Sequence, residues 1–440
     1  MSKKYTIITY GCQMNEHDSE QISYILENLG YTYTNNKKES DFIIYNTCLI
    51  RENAELKVYG QLGSLKNLKK EKKDLIIAVC GCMMQTGNAK NVIAEKYKHV
   101  DIIFGTKNIS ELPELIEKYL NSNKMILSIK DKDEIDTGTK YKRNNTFMGY
   151  VNIMTGCNNF CSFCIVPYTR GRELSRKPQD IINEVKEMVE NGYKEIMLLG
   201  QNVNSYGKNL ETKCSFSELL EKINEIKGLK RIRFMTSHPK DLSDDLIDAM
   251  ARLDKVCESI HLPFQSGSNK VLKEMNRRYT KEHYLELTDK LKKKIPNIVL
   301  STDIIVGFPN ETDSDFEETL DVVKKAEFEQ GFTFIYSKRP GTKAAKIIDN
   351  ISDEEKNIRF QKLIDVMYDI FYKKNERYIG KIEEVLVEGL SKNNSNVLVG
   401  RTRGYKIVHF KGNKNLIGNL VKVKIINHNS FTLEGILEDR

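Results

Sequence analysis

Met148–Arg172 reads MGYVNIMTGCNNFCSFCIVPYTRGR, and the rest of the chain is arranged around it. Tyr150 to Thr155 alternates apolar and polar residues, the period-two pattern of a strand, and Thr155-Gly156 ends it. Cys157, Cys161 and Cys164 follow in a C-x3-C-x2-C spacing, so one loop can fold three sulfurs onto a single soft metal centre. No fourth ligand stands nearby. A structural zinc or iron–sulfur site closes its coordination with four protein ligands, whereas three leave a position open for chemistry. A zinc ribbon would need a second C-x2-C knuckle, which the sequence lacks, and a disulfide framework suits a secreted chain. The three cysteines are therefore read as a catalytic cluster site.

These residues resemble the radical S-adenosylmethionine (SAM) enzymes, whose 4Fe–4S cluster is held by this spacing. In that family the open iron chelates the amino and carboxylate groups of SAM, and one electron cleaves it to a 5'-deoxyadenosyl radical. Phe163 before Cys164, and Arg170-Gly171-Arg172 after it, narrow the resemblance to the methylthiotransferase branch.

Upstream, Lys4 to Asn121 alternates short apolar runs with amphipathic segments. Tyr5 to Tyr10, Asp41 to Asn46, Leu75 to Val79 and Val100 to Phe104 read as buried parallel strands, each followed by a helix: a small doubly wound α/β domain. Cysteines fall just past the first three strands, at Gly11-Cys12, Thr47-Cys48 and Gly81-Cys82. The carboxyl ends of strands in such a sheet share one edge, where ligands bind, so three distant cysteines converge there on a second three-ligand site. Cys80 falls inside its strand by the period-two pattern, and Cys82 is preferred. The motifs GCQMNEHDSE (Gly11 to Glu20), NTC-x2-REN (Asn46 to Asn53) and GCMMQ (Gly81 to Gln85) resemble the methylthiotransferase amino-terminal domain. That resemblance implies an auxiliary 4Fe–4S cluster on Cys12, Cys48 and Cys82. Gln-Met-Asn after Cys12 points to the tRNA-modifying branch; members acting on ribosomal protein have Pro-Lys-Asn, and the threonylcarbamoyladenosine branch has Gly-Cys-Lys-Val-Asn. The run KNLKKEKK at Lys66 to Lys73 sits at a helix end, where a solvated basic cluster suits the helix dipole.

Asn121 to Asn145 has the composition of a linker. Beyond it, Met148 to Thr155, Glu195 to Leu199, Arg231 to Thr236, Ser259 to Phe264, Val299 to Val306 and Phe332 to Ser337 are six candidate strands separated by amphipathic segments. Six β/α units predict a partial (β/α)6 barrel with chemistry at the carboxyl strand ends. By family likeness Gly200-Gln201-Asn202 occupies the place that faces the methionine amine of SAM. His261, in the apolar HLPF, reads as a hydrogen-bonded core histidine.

The last part, Lys381 to Glu438, holds five short alternating strands separated by Gly, Asn and Ser, which predicts a small β-barrel of the oligonucleotide-binding kind. From Gly389 to Leu433 there is no acidic residue, yet Lys392, Arg401, Arg403, Lys406, Lys411, Lys414, Lys422 and Lys424 are cations, with Tyr405, His409 and Phe410 among them. Cations interleaved with aromatics suit phosphates and unstacked bases. Arg401, Arg403, Lys406 and Lys411 are the candidate RNA contacts, and the module resembles the TRAM domain.

The 440 residues are thus expected as an α/β protein of three domains: 3–121 for the auxiliary cluster, 143–375 for the radical SAM core and 376–440 for RNA binding. The net charge of +8 alone does not identify a polyanionic partner. MSKKYTIITYGC lacks a secretory leader and no 18-residue apolar run occurs, so a cytoplasmic protein with no membrane partner is expected. The resemblance further implies a tRNA carrying isopentenylated adenosine in its anticodon stem-loop, two SAM per turnover, an electron donor such as flavodoxin or ferredoxin, and a sulfur supply system. A redox sensor whose clusters gate the basic barrel is the competing reading; the open fourth sites speak against it.

Overall fold

Phe42–Thr47 (FIIYNT) and Ile76–Gly81 (IIAVCG) are buried along their whole length, as strands covered on both faces must be. They are the central β3 and β4 of the first sheet, which also contains β1 (Lys3–Thr9), β2 (Tyr31–Tyr33), β5 (Ile102–Phe104) and β6 (Ile126–Ser128). All neighbours are parallel, in the order β2-β1-β3-β4-β5-β6. Helices α1 (Gln13–Asn28) and α5 (Leu112–Ser122) press Ile22, Leu26, Leu112 and Leu115 on one face. The other is covered by α2 (Glu52–Glu71) and α4 (Ala89–Lys96), through Val58, Leu62, Leu65 and Ile93, beside the one-turn α3 (Cys82–Gln85). The domain is doubly wound, with its switch point between β1 and β3. Edge strands β2 and β6, three residues each, are too short to carry a readable period. Lys69 and Lys72, in the basic run, pair with Asp101 and Asp41 of their own domain.

The computed structural model describes residues 2–49, 52–131, 140–143 and 145–438. Ile50 and Arg51 of the NTC-x2-REN motif, 132–139 and Asn144 of the expected linker, and the last two residues of the chain lie outside the described residues.

In the second part β7 (Met148–Asn152) leads into a two-residue antiparallel pair, β8 (Met154–Thr155) with β9 (Leu174–Ser175), that brackets the three-cysteine loop. Then come β10 (Glu195–Leu199), β11 (Arg231–Phe234), β12 (Ser259–His261), β13 (Val299–Val306) and β14 (Gln330–Ile335). They form two parallel three-stranded sheets, β7-β10-β11 and β12-β13-β14. The bonds Cys257 N to Ile232 O (3.0 Å) and Ser237 N to His261 O (3.3 Å) join them edge to edge. The result is a six-stranded partial barrel, open between β7 and β14, with one apolar core under its outer helices. Capping boxes Ser215/Glu218, Thr312/Asp315 and Ser352/Glu355 start three of those helices, each such cap contributing about 1 kcal/mol.

Asp353–Asn375 leads to the closed barrel of β15 (Ile382–Ser391), β16 (Asn394–Thr402), β17 (Ile407–Lys411), β18 (Leu420–His428) and β19 (Thr432–Leu437). It docks on the amino ends of the core strands. Buried Arg231 donates from Nη2 to Glu384 Oε1 (2.9 Å) and from Nη1 to Arg401 O (3.0 Å). Arg233 reaches Arg403 O and Thr402 O, each at 2.7 Å. Tyr405 enters the lumen from below, its ring between the guanidiniums of Arg233 and Arg401 at 4.9 and 4.7 Å, against the Met14, Met197 and Leu199 cluster.

Candidate active site

Two glycines bring the first cysteine set together. Gly11 has φ +118°, and a Cβ there would stand 2.8 Å from Cys48 Cβ; Gly81 has φ +97°, and a Cβ would stand 2.3 Å from Thr47 O. Only glycine permits both backbone conformations and these close approaches. Asn15, on the first turn of α1, laces the strand ends by donating Nδ2 to Tyr10 O and Thr47 O, both at 2.9 Å. Its Oδ1 lies 3.9 Å from Cys12 Sγ and 3.8 Å from Cys82 Sγ. Cys12, Cys48 and Cys82 thus meet at the carboxyl edge of the sheet, while Cys80 is buried in the core between β4 and its helices.

The second set is held by its loop. Gly156, φ +77°, lets the backbone pass where a Cβ would stand 1.9 Å from Arg172 O, and Cys157 N donates to Gly171 O at 3.0 Å. Asn276 Nδ2 donates to Asn159 O and Phe160 O at 3.1 and 2.9 Å. Arg277 Nη1 donates to Cys161 Sγ at 3.4 Å and Nη2 to Pro263 O at 2.6 Å. Burial pushes the thiols up, Cys82 and Cys157 to about 11 and Cys164 to about 12. Such thiols become thiolates only with a cation to bind.

Both sets open on one cavity of about 300 Å³, lined by Cys12 and Cys82 from the first domain, Cys157, Cys161 and Cys164 from the second, and Gly200 and Gln201. Gln201 Oε1, Ser237 Oγ, His238 Nε2 and Gln265 Oε1 are buried there with no hydrogen-bond partner, so the walls offer polar atoms to a ligand. His238 Nδ1 accepts from Lys240 N at 3.2 Å, which leaves the proton on Nε2. Burial and then the Arg277 charge keep that ring neutral by depressing its pKa. Asn202 does not line the cavity; it donates Nδ2 to Asp241 at 2.8 Å.

Arg170 joins the two halves. Its side chain, 8% exposed, bonds Asp18 Oδ2 at 2.6 Å and Asn15 Oδ1 at 3.2 Å, fixing the triad-bearing edge of the first domain over the second. Its place in an Arg-Gly-Arg run hinted at importance but not at this partner; Asn15 and Arg277 gave no sequence signal of their roles.

No three His, Cys, Asp or Glu side chains among the described residues stand close enough for a single metal ion. A cuboidal cluster makes a different demand, because each thiolate takes its own iron corner. Buried or half-buried cysteines in two sets of three, five of them lining one cavity, fit that group, and none forms a disulfide.

The expected RNA contacts need correction. Lys406 is 1% exposed and donates Nζ to Glu329 O at 3.0 Å, so it cannot meet solvent-borne phosphate. Arg403 pairs with Glu258 of the core, which ties it into the docking interface, while Arg401 pairs with Glu388 of its own barrel and meets the core through its carbonyl oxygen, which accepts from Arg231. Tyr405 is the lumen wedge and Phe410 lies in the barrel core. Lys411 is exposed, as are Lys392, Lys414, Lys422 and Lys424. His261 is buried and hydrogen-bonded to Ser301, as its apolar strand suggested, and it also borders the cavity beside Asp303.

Family models match along the chain: the Radical SAM superfamily at residues 151–323, the uncharacterized protein family UPF0004 at 4–105, and the TRAM domain at 376–437. Among solved structures, TsrM, a radical SAM methyltransferase from Kitasatospora setae with cobalamin and a 4Fe–4S cluster bound, aligns with TM-score 0.58 at 12% identity over 78% of this chain and 77% of that one. That alignment shows a shared fold, and the family models define the class, a radical SAM enzyme with added amino- and carboxyl-terminal domains.

Proteins named tRNA-2-methylthio-N(6)-dimethylallyladenosine synthase are similar over nearly the full length. The one from Finegoldia magna is 60% identical over 99% of this chain and 94% of that protein. Those from Alkaliphilus oremlandii and Clostridioides difficile are each 56% identical, over 99% and 98% of this chain and 92% and 90% of theirs. The chain belongs to the radical SAM methylthiotransferase family that these synthases represent, and 4Fe–4S clusters and SAM are the cofactors of that family.

Proposed function

We propose that the protein is a tRNA methylthiotransferase that converts N6-dimethylallyladenosine to 2-methylthio-N6-dimethylallyladenosine at position 37, next to the anticodon, with two SAM per turnover. The observation that carries this reading is the meeting of two cysteine triads, from two domains, at one cavity that five of the six line. Cys157, Cys161 and Cys164 would hold the cluster that binds SAM, and Cys12, Cys48 and Cys82 the auxiliary cluster. Bound there, these groups supply a hydrogen-abstracting radical and a methylated sulfur, chemistry suited to an aromatic C2–H that has no acidic proton.

The chain's own residues set the geometry. Arg277 orients Cys161, and Gly200, where a Cβ would stand 2.6 Å from Met154 Cγ, lets the backbone pack down on Met154 and set Gln201 in the cavity wall. Asn202 acts through Asp241, outside the cavity. Arg170 fixes the span between the triads, and the Tyr405 wedge excludes water from below. Lys411, with the other exposed barrel cations, is the phosphate contact we retain; Arg403 acts through docking and Arg401 is engaged by Glu388 within the barrel. Domain limits of 3–121, 143–375 and 376–440, a cytoplasmic site of action, an electron donor of the flavodoxin or ferredoxin kind and a sulfur supply system belong to the same reading. No helix among the described residues is long and apolar enough to cross a membrane.

The test is anaerobic turnover of reconstituted protein with dithionite and SAM on three anticodon stem-loops, carrying dimethylallyladenosine, threonylcarbamoyladenosine or adenosine. Methylthio product from the first alone is expected. Product from the second alone would move the protein to the sister substrate.

A further inference from the structure

The inner face of β12, β13 and β14 carries side chains that the cysteine chemistry leaves unused. The parallel register pairs His261 with Ser301, Asp303 with Phe332 and Ile305 with Phe334, and side chains paired in this way project to one face. The alternate residues Leu300, Ile304 and Val306 are buried under the outer helices, whereas His261 and Asp303 line the cavity. The Asp303 row therefore faces the lumen.

That row is built as a wall with a linked polar group at one side and aromatic rings at the other. His261 Nδ1 lies 3.0 Å from Ser301 Oγ and Nε2 lies 3.4 Å from Asp303 Oδ1, which fixes the carboxylate. The imidazole meets the Phe332 ring edge to face at 6.2 Å. Phe332 and Phe334 are 55% and 43% exposed, on the strand that borders the opening of the barrel. Two exposed phenylalanines inside a lumen beside an ordered carboxylate are a ligand surface. The loop that follows β14 adds exposed Lys338 and Lys343 at the rim.

We propose that this wall recognises the unstacked, N6-alkylated adenine of the RNA. Phe332 and Phe334 take the base face and the alkyl group, and Asp303 accepts a hydrogen bond from the single N–H that alkylation leaves on N6. Lys338 and Lys343 meet the flanking phosphates. Unstacked bases are bound in this way, by aromatic faces with a hydrogen bond to the base edge. Guanine, which presents a carbonyl oxygen where adenine has N6–H, is repelled by the carboxylate. The inference rests on the tRNA substrate proposed above and names the residues that read it.

The experiment is fluorescence-anisotropy binding of the full-length protein to two stem-loops that differ only in carrying N6-dimethylallyladenosine or adenosine. The wild-type protein is expected to prefer the alkylated RNA. Phe332→Ala/Phe334→Ala should lower that preference roughly tenfold, with affinity for the unmodified RNA held by phosphate contacts. Phe332→Leu, which keeps an apolar side chain but no flat face, should lose part of it, and circular dichroism melts check that each variant is folded. Full preference retained by the folded double variant would overturn the wall and leave the substrate reading standing. A wild-type protein with no preference and no methylthio product would overturn both.

Discussion

Arg170→Met removes the guanidinium that pairs with Asp18 across the domain junction and leaves the aspartate buried. Both partners are nearly inaccessible, their side chains 8% and 10% exposed, and breaking such a pair costs about 3–5 kcal/mol. Hydrogen exchange of α1, which carries Asp18, and of central β4 reads the opening of the domain. At about 1.36 kcal/mol per factor of ten, we expect exchange in the variant faster than wild type by on the order of 1,000-fold at pH 7. Arg170→Met/Asp18→Asn should recover most of the difference, because it removes the buried charge along with its partner. Unchanged exchange in the single variant, or no recovery in the double variant, would refute the reasoning.

Gly11→Ala places a Cβ 2.8 Å from Cys48 Cβ at φ +118°; we expect about 1–3 kcal/mol of strain and loss of one cluster's worth of iron after reconstitution. Cys82→Ala should lose the same iron with little strain, whereas Cys80→Ala should keep it, which iron analysis of the two variants separates. Burial, partly offset by Glu329, pushes Lys406 down to about 8 from its ordinary 10.5. The unfolded chain then holds a proton between those values that the folded one lacks, so stability rises with pH across that window by about 3 kcal/mol. The other titrating groups are common to both proteins, so the urea midpoint of the wild type minus that of Lys406→Met should rise across this window.

The cysteines were legible because their chemistry is local: each follows a strand end, and strand ends are what periodicity marks best. Cys82 rather than Cys80 came from the same alternation, which turns Cys80 into the core. The Arg170–Asp18 clamp was not legible, since its partners lie 152 positions apart and meet only through domain docking. Lys406 misled for a related reason. A cation in a basic, aromatic stretch reads as solvent-facing, and only the docked barrel reveals Glu329 waiting for it. His261 is the buried, hydrogen-bonded histidine its strand suggests, but only the register of β12 on β13 shows that it stands against the lumen.

The most direct measurement is iron content together with 5'-deoxyadenosine and methylthio product for the wild type and for two triple variants, Cys12, Cys48 and Cys82 to alanine, and Cys157, Cys161 and Cys164 to alanine. The account predicts half the iron in each variant; the first still cleaves SAM without inserting sulfur, and the second does neither. Full iron in either variant, or methylthio product from the first, would contradict it.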